Sequence, residues 1–127
     1  MITIDVFTFN PFEENTYILS DETKECVIID AGCYDNEEKK ELAGFISGKK
    51  LTPVKLLMTH SHIDHMLGNN FVCSRYNLEI EIHESEVYAL QAAPVYGEMW
   101  GIRAEPSPLP KIFLNEGDVV KFGNCEL

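Results

Sequence analysis

Behind Pro53 the chain runs VKLLM, Val54 to Met58, continuous in its apolar character except at Lys55. A run this short and unalternating fits a strand covered on both faces, and such a strand needs layers packed on either side of its sheet. The segments before it set up that sheet. ITIDVFTF alternates with period two from Ile2, TYILS runs from Thr16 and CVIID from Cys26, with the polar residues 21–24 as the turn between the last two. The period then changes. In DNEEKKELAGFISGKK, Asp35 and Glu38 form a D-x-x-E capping box, Leu42, Phe45 and Ile46 share one face, and Lys49 and Lys50 suit the negative end of the dipole. A helix is expected there, weakened by Gly44 and Gly48.

After VKLLM the rhythm repeats. Met66 to Tyr76 reads as a helix, Glu79 to Ile82 as a strand and Glu84 to Ala93 as a helix headed by acidic residues. Strand, loop, helix, strand, helix is the alternation of an α/β fold. From Pro94 to Lys111, four prolines, two glycines and the only tryptophan, Trp100, read as a long surface loop, either a cover for a pocket or a connector anchored by its Trp. IFL and VVKF then flank a turn at Asn115 to Asp118, and Gly123-Asn124 marks a tight reversal into the last residues, Cys125 to Leu127. So short a return arm is expected to leave the ladder of Val119 to Phe122 largely unpaired, and the sequence is expected to be a piece of a longer domain.

The 127 residues suffice for one domain, 1–127, with a real core. Ten basic against 21 acidic residues leave a net charge of -11, which repels phosphate backbones and anionic membrane surfaces. Neither nucleic acid nor a membrane is an expected partner, and an anionic substrate would need a metal or a local cation. The longest apolar runs fall far short of the ~20 residues that span a bilayer. Cys26, Cys33, Cys73 and Cys125 are widely spaced with no C-x-x-C pair, and the N-terminus alternates rather than placing a basic segment ahead of an apolar one. Reduced thiols in a cytoplasmic protein are expected.

THSHIDHMLG, Thr59 to Gly68, places three of the four histidines and an aspartate within six positions at the carboxyl end of the buried run. In extended chain alternate residues point the same way, so His60, His62 and Asp64 project to one side, while His65 opens the next helix and turns toward a neighbouring point. Two imidazoles then aim at one spot, and a carboxylate with an imidazole at another. Imidazole and carboxylate suit zinc, iron or manganese, and the lack of a nearby thiolate disfavours a structural zinc or iron-sulfur site. A pair of divalent ions is expected, where α/β sheets bind ligands, beyond the carboxyl ends of their strands. The bland alternative is three histidines serving as caps or surface residues. His83, alone at a strand end before Glu84, reads as a partly exposed histidine or a helix cap.

THSHIDHMLGN, preceded by VKLLM and upstream by VIIDAG, resembles the H-x-H-x-D-H signature of the metallo-β-lactamase superfamily, and NTYIL near the start is similar to its glyoxalase II-like branch. The resemblance implies an α/β fold, the N-terminal half of a four-layer αββα sandwich, with a mixed sheet and helices on its outer face. It also implies metal-assisted hydrolysis of thioesters, with His60 and His62 on a first ion, Asp64 and His65 on a second, zinc ahead of iron or manganese. Asp64 would also hold the orientation of the nucleophile. Asp30, closing CVIID, is then either a residue that orients the site or a turn former, and Thr59 either bonds within the loop or has no part in it.

In the family a third histidine for the first metal, which would follow the strand begun at Cys125, a bridging aspartate and a last histidine come from later in the fold. With two side chains per ion, where catalytic zinc normally has three, this chain alone is expected to bind metal weakly and hydrolyse little. Two other readings stay open. One is a non-catalytic metal-binding module that forms homodimers through the unpaired strand near Leu127. The other is a hydrolase for a lactone or a β-lactam, or an oxygen-reducing diiron protein, with the residues 94–111 and their Arg103 as the local candidate for selecting the substrate.

Overall fold

The computed structural model describes all residues Met1–Leu127. VKLLM falls mainly in strand β4 (Thr52–Leu57), inside a six-stranded mixed sheet of order β1-β2-β3-β4-β5-β6. Strands β1 (Thr3–Phe9), β2 (Glu14–Ser20) and β3 (Glu25–Ile29) form an antiparallel meander, and β4, β5 (Ile80–Ile82) and β6 (Ile112–Phe113) continue it in parallel. Pro53 is tolerated inside β4 because it lies where the register against β3 shifts between Cys26 and Val27, so the ladder is already interrupted there.

Each parallel step needs a crossover. These are made by α1 (Asn36–Gly48), by α2 (Asn69–Tyr76), and by α3 (Val87–Gln91) together with α4 (Ala93–Met99). Strands are added in one direction and crossovers share one hand, so the helices fall on the same face of the sheet. Helix α1 starts as its sequence dictates, with Asp35 Oδ1 accepting from the Glu38 N–H at 2.8 Å, and it buries Leu42, Ala43 and Ile46. Leu42, Ile46, Val72 and Leu90 from the helices meet Ile18, Ile28, Leu56 and Ile82 from the strands in one core. Each such side chain contributes about 1.5–3 kcal/mol on burial, which makes this the face that drives folding. On the opposite face Leu19, Val27 and Leu57 pack against Phe122 of a small hairpin, β7 (Lys121–Phe122) and β8 (Cys125–Glu126). The expected mixed sheet with helices on its outer face is therefore present. No helix is long and apolar enough to cross a membrane.

Several local expectations change. The stretch 94–111 is not one loop, because Ala93–Met99 is helical with Pro94 in the first turn, where a missing N–H deprives the helix of no bond. Helix α2 begins at Asn69 rather than Met66, since the chain first presses against the end of β3. The Gly68 N–H bonds Ala31 O at 2.8 Å, and a Cβ on Gly68 would sit 3.0 Å from the carbonyl oxygens of Ala31 and Cys33. IFL and VVKF do form the turn at 115–118, with the Asp118 N–H on Asn115 O at 3.0 Å, but they part afterwards: β6 joins β5, and β7 crosses to the other face.

The ladder expected to be largely unpaired is paired from Val120 onward. Val120 and Leu127 exchange both backbone bonds, at 3.2 and 2.8 Å, Lys121 faces Glu126 and Phe122 faces Cys125. The two-residue reversal, with Gly123 at φ +53, lets every residue of the short arm find a partner. Carboxylates of the β2–β3 turn hold that reversal in place, Asp21 Oδ2 accepting from the Asn124 N–H at 2.6 Å and Glu25 Oε1 from the Gly123 N–H at 2.7 Å.

Candidate metal centre

Past β4, Met58 is buried and its N–H bonds Glu81 O at 3.0 Å, which fixes where the chain leaves the sheet. Burial then alternates: Ser61 and Ile63 turn inward, and His60 and His62 are left on the open side, as extended chain requires, with half-buried Asp64 following in the next turn. Glu86 anchors this loop from the start of the α3 segment, accepting the Ser61 N–H on Oε1 at 3.0 Å and the Ser61 hydroxyl on its backbone oxygen at 2.8 Å. A single 3-10 turn, Ile63–His65, then swings His65 back toward His60, their ring centroids 4.2 Å apart. From the other side Asn10, in the β1–β2 connection, donates through Nδ2 to Asp64 O at 2.8 Å and Gly32 O at 3.0 Å.

Donor atoms of Asp30, His60 and His65 gather within 4.8 Å of one another. The hydrogen-bond network assigns the protons among them. Thr59 Oγ1 lies 2.6 Å from Asp30 Oδ2 and 2.8 Å from His60 Nδ1. A hydroxyl has one proton; given to the carboxylate, it leaves Thr59 as an acceptor for His60, whose proton therefore sits on Nδ1. His60 Nε2 is then bare, and it faces His62 Nδ1 at 3.0 Å. His65 donates from Nδ1 to Asp30 Oδ2 at 2.9 Å, so its Nε2 is bare too, 3.4 Å from Asp64 Oδ2. His62 can donate from Nδ1 to His60 Nε2, whereas the His65 Nε2 lone pair turned on the Asp64 carboxylate repels it unless a proton or a cation lies between them. Burial, followed by the neighbouring imidazoles of His65 and His62, holds His60 below the ordinary histidine range, which opposes a second proton on its ring. The donor set fits a divalent cation bound by neutral imidazole and carboxylate.

Both readings of Asp30 hold at once. Its backbone is in the left-handed region, φ +57, where a short polar side chain is tolerated, so it does turn the chain at the end of β3. Its carboxylate is also fully engaged, accepting from the Thr59 N–H at 2.8 Å on Oδ1 and from Thr59 and His65 on Oδ2. That engagement makes Asp30 the residue that aims His65 rather than an open ligand, although its oxygens stand near enough to the imidazoles to count among the donor atoms. The cysteines offer no competing ligands. Burial pushes Cys26 and Cys33 up to about 12 and Cys73 to about 11.

Beneath the site lies Glu14, its side chain fully enclosed and Oε1 3.7 Å from His65 Nδ1. Burial pushes its carboxyl from 4.5 up to about 8; a bond from Thr16 opposes this, and the charges of Asp30, Asp64 and Glu38 add to it. The Thr16 proton also has a closer acceptor in Asp30 O, at 2.7 Å. A carboxyl raised in the folded state keeps its proton when the unfolded chain has lost it, so metal-free stability falls as pH climbs from about 4.5 to about 8 and is level above. Glu14→Gln is expected to remove that fall, stabilising the metal-free protein by on the order of 5 kcal/mol above about pH 8 and by little near pH 4.5. Thermal melts of both forms across that range check it.

Of the residues expected at the site, His60 and His65 join Asp30 in one donor cluster, while His62 lies outside it, 3.0 Å from His60 through Nδ1, and so does Asp64, 3.4 Å from His65 Nε2; Thr59 bonds within the loop. His83 is a cap: its Nδ1 accepts the Ser85 N–H at 3.1 Å. Arg103 lines depressions formed with Tyr34 and Asn70 and with Pro94 and Glu98, not the one lined by His62 and Asp64, and its backbone N–H meets Tyr34 Oη at 3.1 Å. Asn10, Glu14 and Glu86 were missed. Glu14 had a signal, because Glu14, Thr16 and Ile18 alternate onto the buried face of β2, and a carboxylate in such a row is out of place unless it serves something.

The metallo-beta-lactamase superfamily profile matches residues 9–124, and the chain belongs to that superfamily. The chain is 27% identical over 111 residues to the probable metallo-hydrolase YqgX of Bacillus subtilis, covering 86% of this chain and 50% of that one. To hydroxyacylglutathione hydrolase GloC of Haemophilus influenzae it is 25% identical over 122 residues, 94% of this chain and 56% of the relative. It thus spans about half the length of these curated relatives. Among solved structures, TTHA1623 in a di-iron-bound form superposes with a TM-score of 0.79 at 26% identity, over 90% of this chain and 55% of its own. The BLEG-1 B3 metallo-beta-lactamase gives 0.81 at 22% identity, over 98% and 58%, a likeness of fold.

Proposed function

We propose that this chain is the first part of the catalytic domain of a dinuclear, glyoxalase II-like hydrolase that cleaves thioesters in the cytoplasm. His60 and His62 hold one divalent ion and Asp64 and His65 the other, zinc ahead of iron or manganese. The further ligands that the family resemblance implies come from residues outside 1–127. The carrying observation is the convergence of bare imidazole nitrogens, His60 Nε2 and His65 Nε2, on His62 and the Asp64 carboxylate. When bound, the ions supply a water acidified from a pKa of about 15.7 toward about 7, worth roughly 12 kcal/mol, and a positive charge for the carbonyl oxygen. Asp64 orients the nucleophile, with its own backbone carbonyl held by Asn10. Asp30 and Thr59 keep His65 and His60 protonated on Nδ1, so that Nε2 stays available. A thiolate leaves readily, so no acid need stand on the leaving-group side. The hydroxyacylglutathione activity in the name of one relative supports the thioester class, and the buried free thiols of Cys26, Cys33 and Cys73 suit a reducing compartment.

Elemental analysis paired with a thioester assay tests the proposal. Residues 1–127 are expected to hold metal substoichiometrically with scant turnover, and a protein extended to the length of the relatives to hold about two ions per chain and turn over. Full loading of both forms would remove the need for further ligands. If neither form retains metal, the hydrolase reading is lost. For the rival reading of a dimerising module, the hairpin, paired between its own arms to Leu127, offers the outer edges of a two-stranded sheet.

A further inference from the structure

Between α1 and α2, on the helical side of the sheet, lies a groove of about 570 Å3, a volume that suits a small molecule. Lys39 and Lys40 of α1 and Arg75 of α2 line it, and no carboxylate does. A smaller depression of about 140 Å3 shares Lys39 and Phe71 with the groove and adds Arg103, so the two are continuous and gather four of the chain's ten basic residues. Glu105 is the one carboxylate among the side chains that line either. None of the four cations takes part in an ion pair, whereas Lys55, Lys111 and Lys121 lie 3.4, 3.4 and 3.7 Å from carboxylates. Aromatic rings steady two of the four instead. The Lys39 ammonium stands 5.9 Å from the centre of the Phe71 ring, and the Arg75 guanidinium 5.9 Å from that of Tyr76. A ring quadrupole holds a cation without neutralising it, so these positive charges sit together with their mutual repulsion uncompensated, and an anion bound among them would relieve it.

We propose that this groove binds a small phosphorylated molecule that carries a ring, of the nucleoside diphosphate class. Phosphate oxygens take charge-assisted hydrogen bonds from Lys39, Lys40 and Arg75, the guanidinium in a two-pronged fork. Phe71 is only half-buried and keeps part of its ring open to the groove. From α1, Gly44 adds no side chain, and a Cβ there would meet nothing within 4 Å, so a flat group has room between the helices. Net charge limits the size of the anion. A nucleic acid, an anionic membrane or a long acidic segment would run past the four cations onto a chain of net charge -11, with Glu37 and Glu41 exposed on α1 itself. A compact anion stays within screening distance of the cations alone. No residue of the metal loop takes part, so the groove and the hydrolase reading stand or fall separately.

Calorimetric titration of chelator-stripped protein with ADP tests this, the metal being removed so that no phosphate is held by an ion at the histidines. Adenosine, pyrophosphate and hexaglutamate serve as the phosphate-free, ring-free and acidic-peptide comparators. Saturable binding of a single ADP per chain is expected, tighter by about tenfold than that of any comparator. Lys40→Glu, Arg75→Glu and Gly44→Glu are each expected to weaken ADP by about tenfold with circular dichroism unchanged, since all three positions are exposed and Gly44 has open space beside it. Lys111→Glu, an exposed position outside both depressions, changes the net charge as much as Lys40→Glu and is expected to alter affinity by less than about twofold. Absence of saturable binding, adenosine or pyrophosphate bound as tightly as ADP, or equal weakening by Lys111→Glu would overturn the assignment. Hexaglutamate bound as tightly as ADP would overturn it too, and would give the groove to an acidic protein segment.

Discussion

Zinc or cobalt added to chelator-stripped protein at about 100 times its dissociation constant raises the melting temperature by about 10 °C, and His65→Ala removes most of that rise. The linkage is arithmetic: a ligand at 100 times Kd that binds only the folded state adds about 2.7 kcal/mol, and a domain of this size gains roughly 4 °C per kcal/mol. Sites of four protein ligands bind zinc with about 10–16 kcal/mol, or roughly 3–4 kcal/mol per ligand, so deleting one weakens binding by two to three orders of magnitude. At unchanged metal concentration the variant would then sit at or below its Kd, and the stabilisation would drop under about 0.4 kcal/mol. His65 is the informative position because its ring lies against His60, faces Asp64 through Nε2 and is held by Asp30, so its loss touches every part of the cluster. Cobalt adds a spectroscopic check: nitrogen and oxygen ligation gives no thiolate charge-transfer band, as expected when the thiols of Cys26, Cys33 and Cys73 are pushed to about 11 or 12. A thiolate band, or a rise that survives in His65→Ala and His60→Ala alike, would place the metal elsewhere.

The histidines of the cluster, His60 and His65, were legible because they are local. His60 and His62 lie at alternate positions of one extended segment, and period two decides that they share a side, whereas Asp64 and His65 are brought round by the turn Ile63–His65. The capping box at Asp35 was legible for the same reason, although Glu38 does more than its spacing revealed: its carboxylate accepts the N–H groups of Tyr34 and of distant Asn10, at 2.8 and 2.7 Å. What escaped is contact between segments far apart in the chain. Asn10 reaches Asp64 across 54 positions and Glu86 reaches Ser61 across 25, and nothing in either local stretch announces the partner. Helix α4 escaped because Pro94 and Gly97 read as breakers, whereas a proline in the first turn is harmless and Gly97 is a close-packing site. A Cβ on Gly97 would come within 3.1 Å of Ile63 Cδ1 and 3.0 Å of Ala104 Cβ. The same packing brings α4 up against the metal loop.

Asp30→Asn is expected to leave the metal-free fold nearly intact and to lower metal affinity by about 100-fold, toward the upper end of what residues behind a metal ligand contribute. Asparagine tolerates the left-handed backbone at φ +57 and can still accept the Thr59 N–H through its amide oxygen. The amide nitrogen must then take the place of Oδ2, and there it meets two groups that had been donors, Thr59 Oγ1 and His65 Nδ1. Thr59 accommodates by rotating its proton away. His65 has no such freedom, since to accept at Nδ1 it must move its proton to Nε2, the atom that faces Asp64. The ligand position is then capped by a hydrogen in a ring that has not moved, and restoring the other tautomer sets two N–H groups against each other. Nitrogen chemical shifts of the His65 ring report the tautomer directly, Nδ1-protonated in the native protein and Nε2-protonated in the variant, while the metal-free melting temperature reports the fold. Loss of affinity with the native tautomer retained would mean that Asp30 binds the metal itself; unchanged affinity would mean that the Asp30 carboxylate does not set how His65 presents its nitrogen.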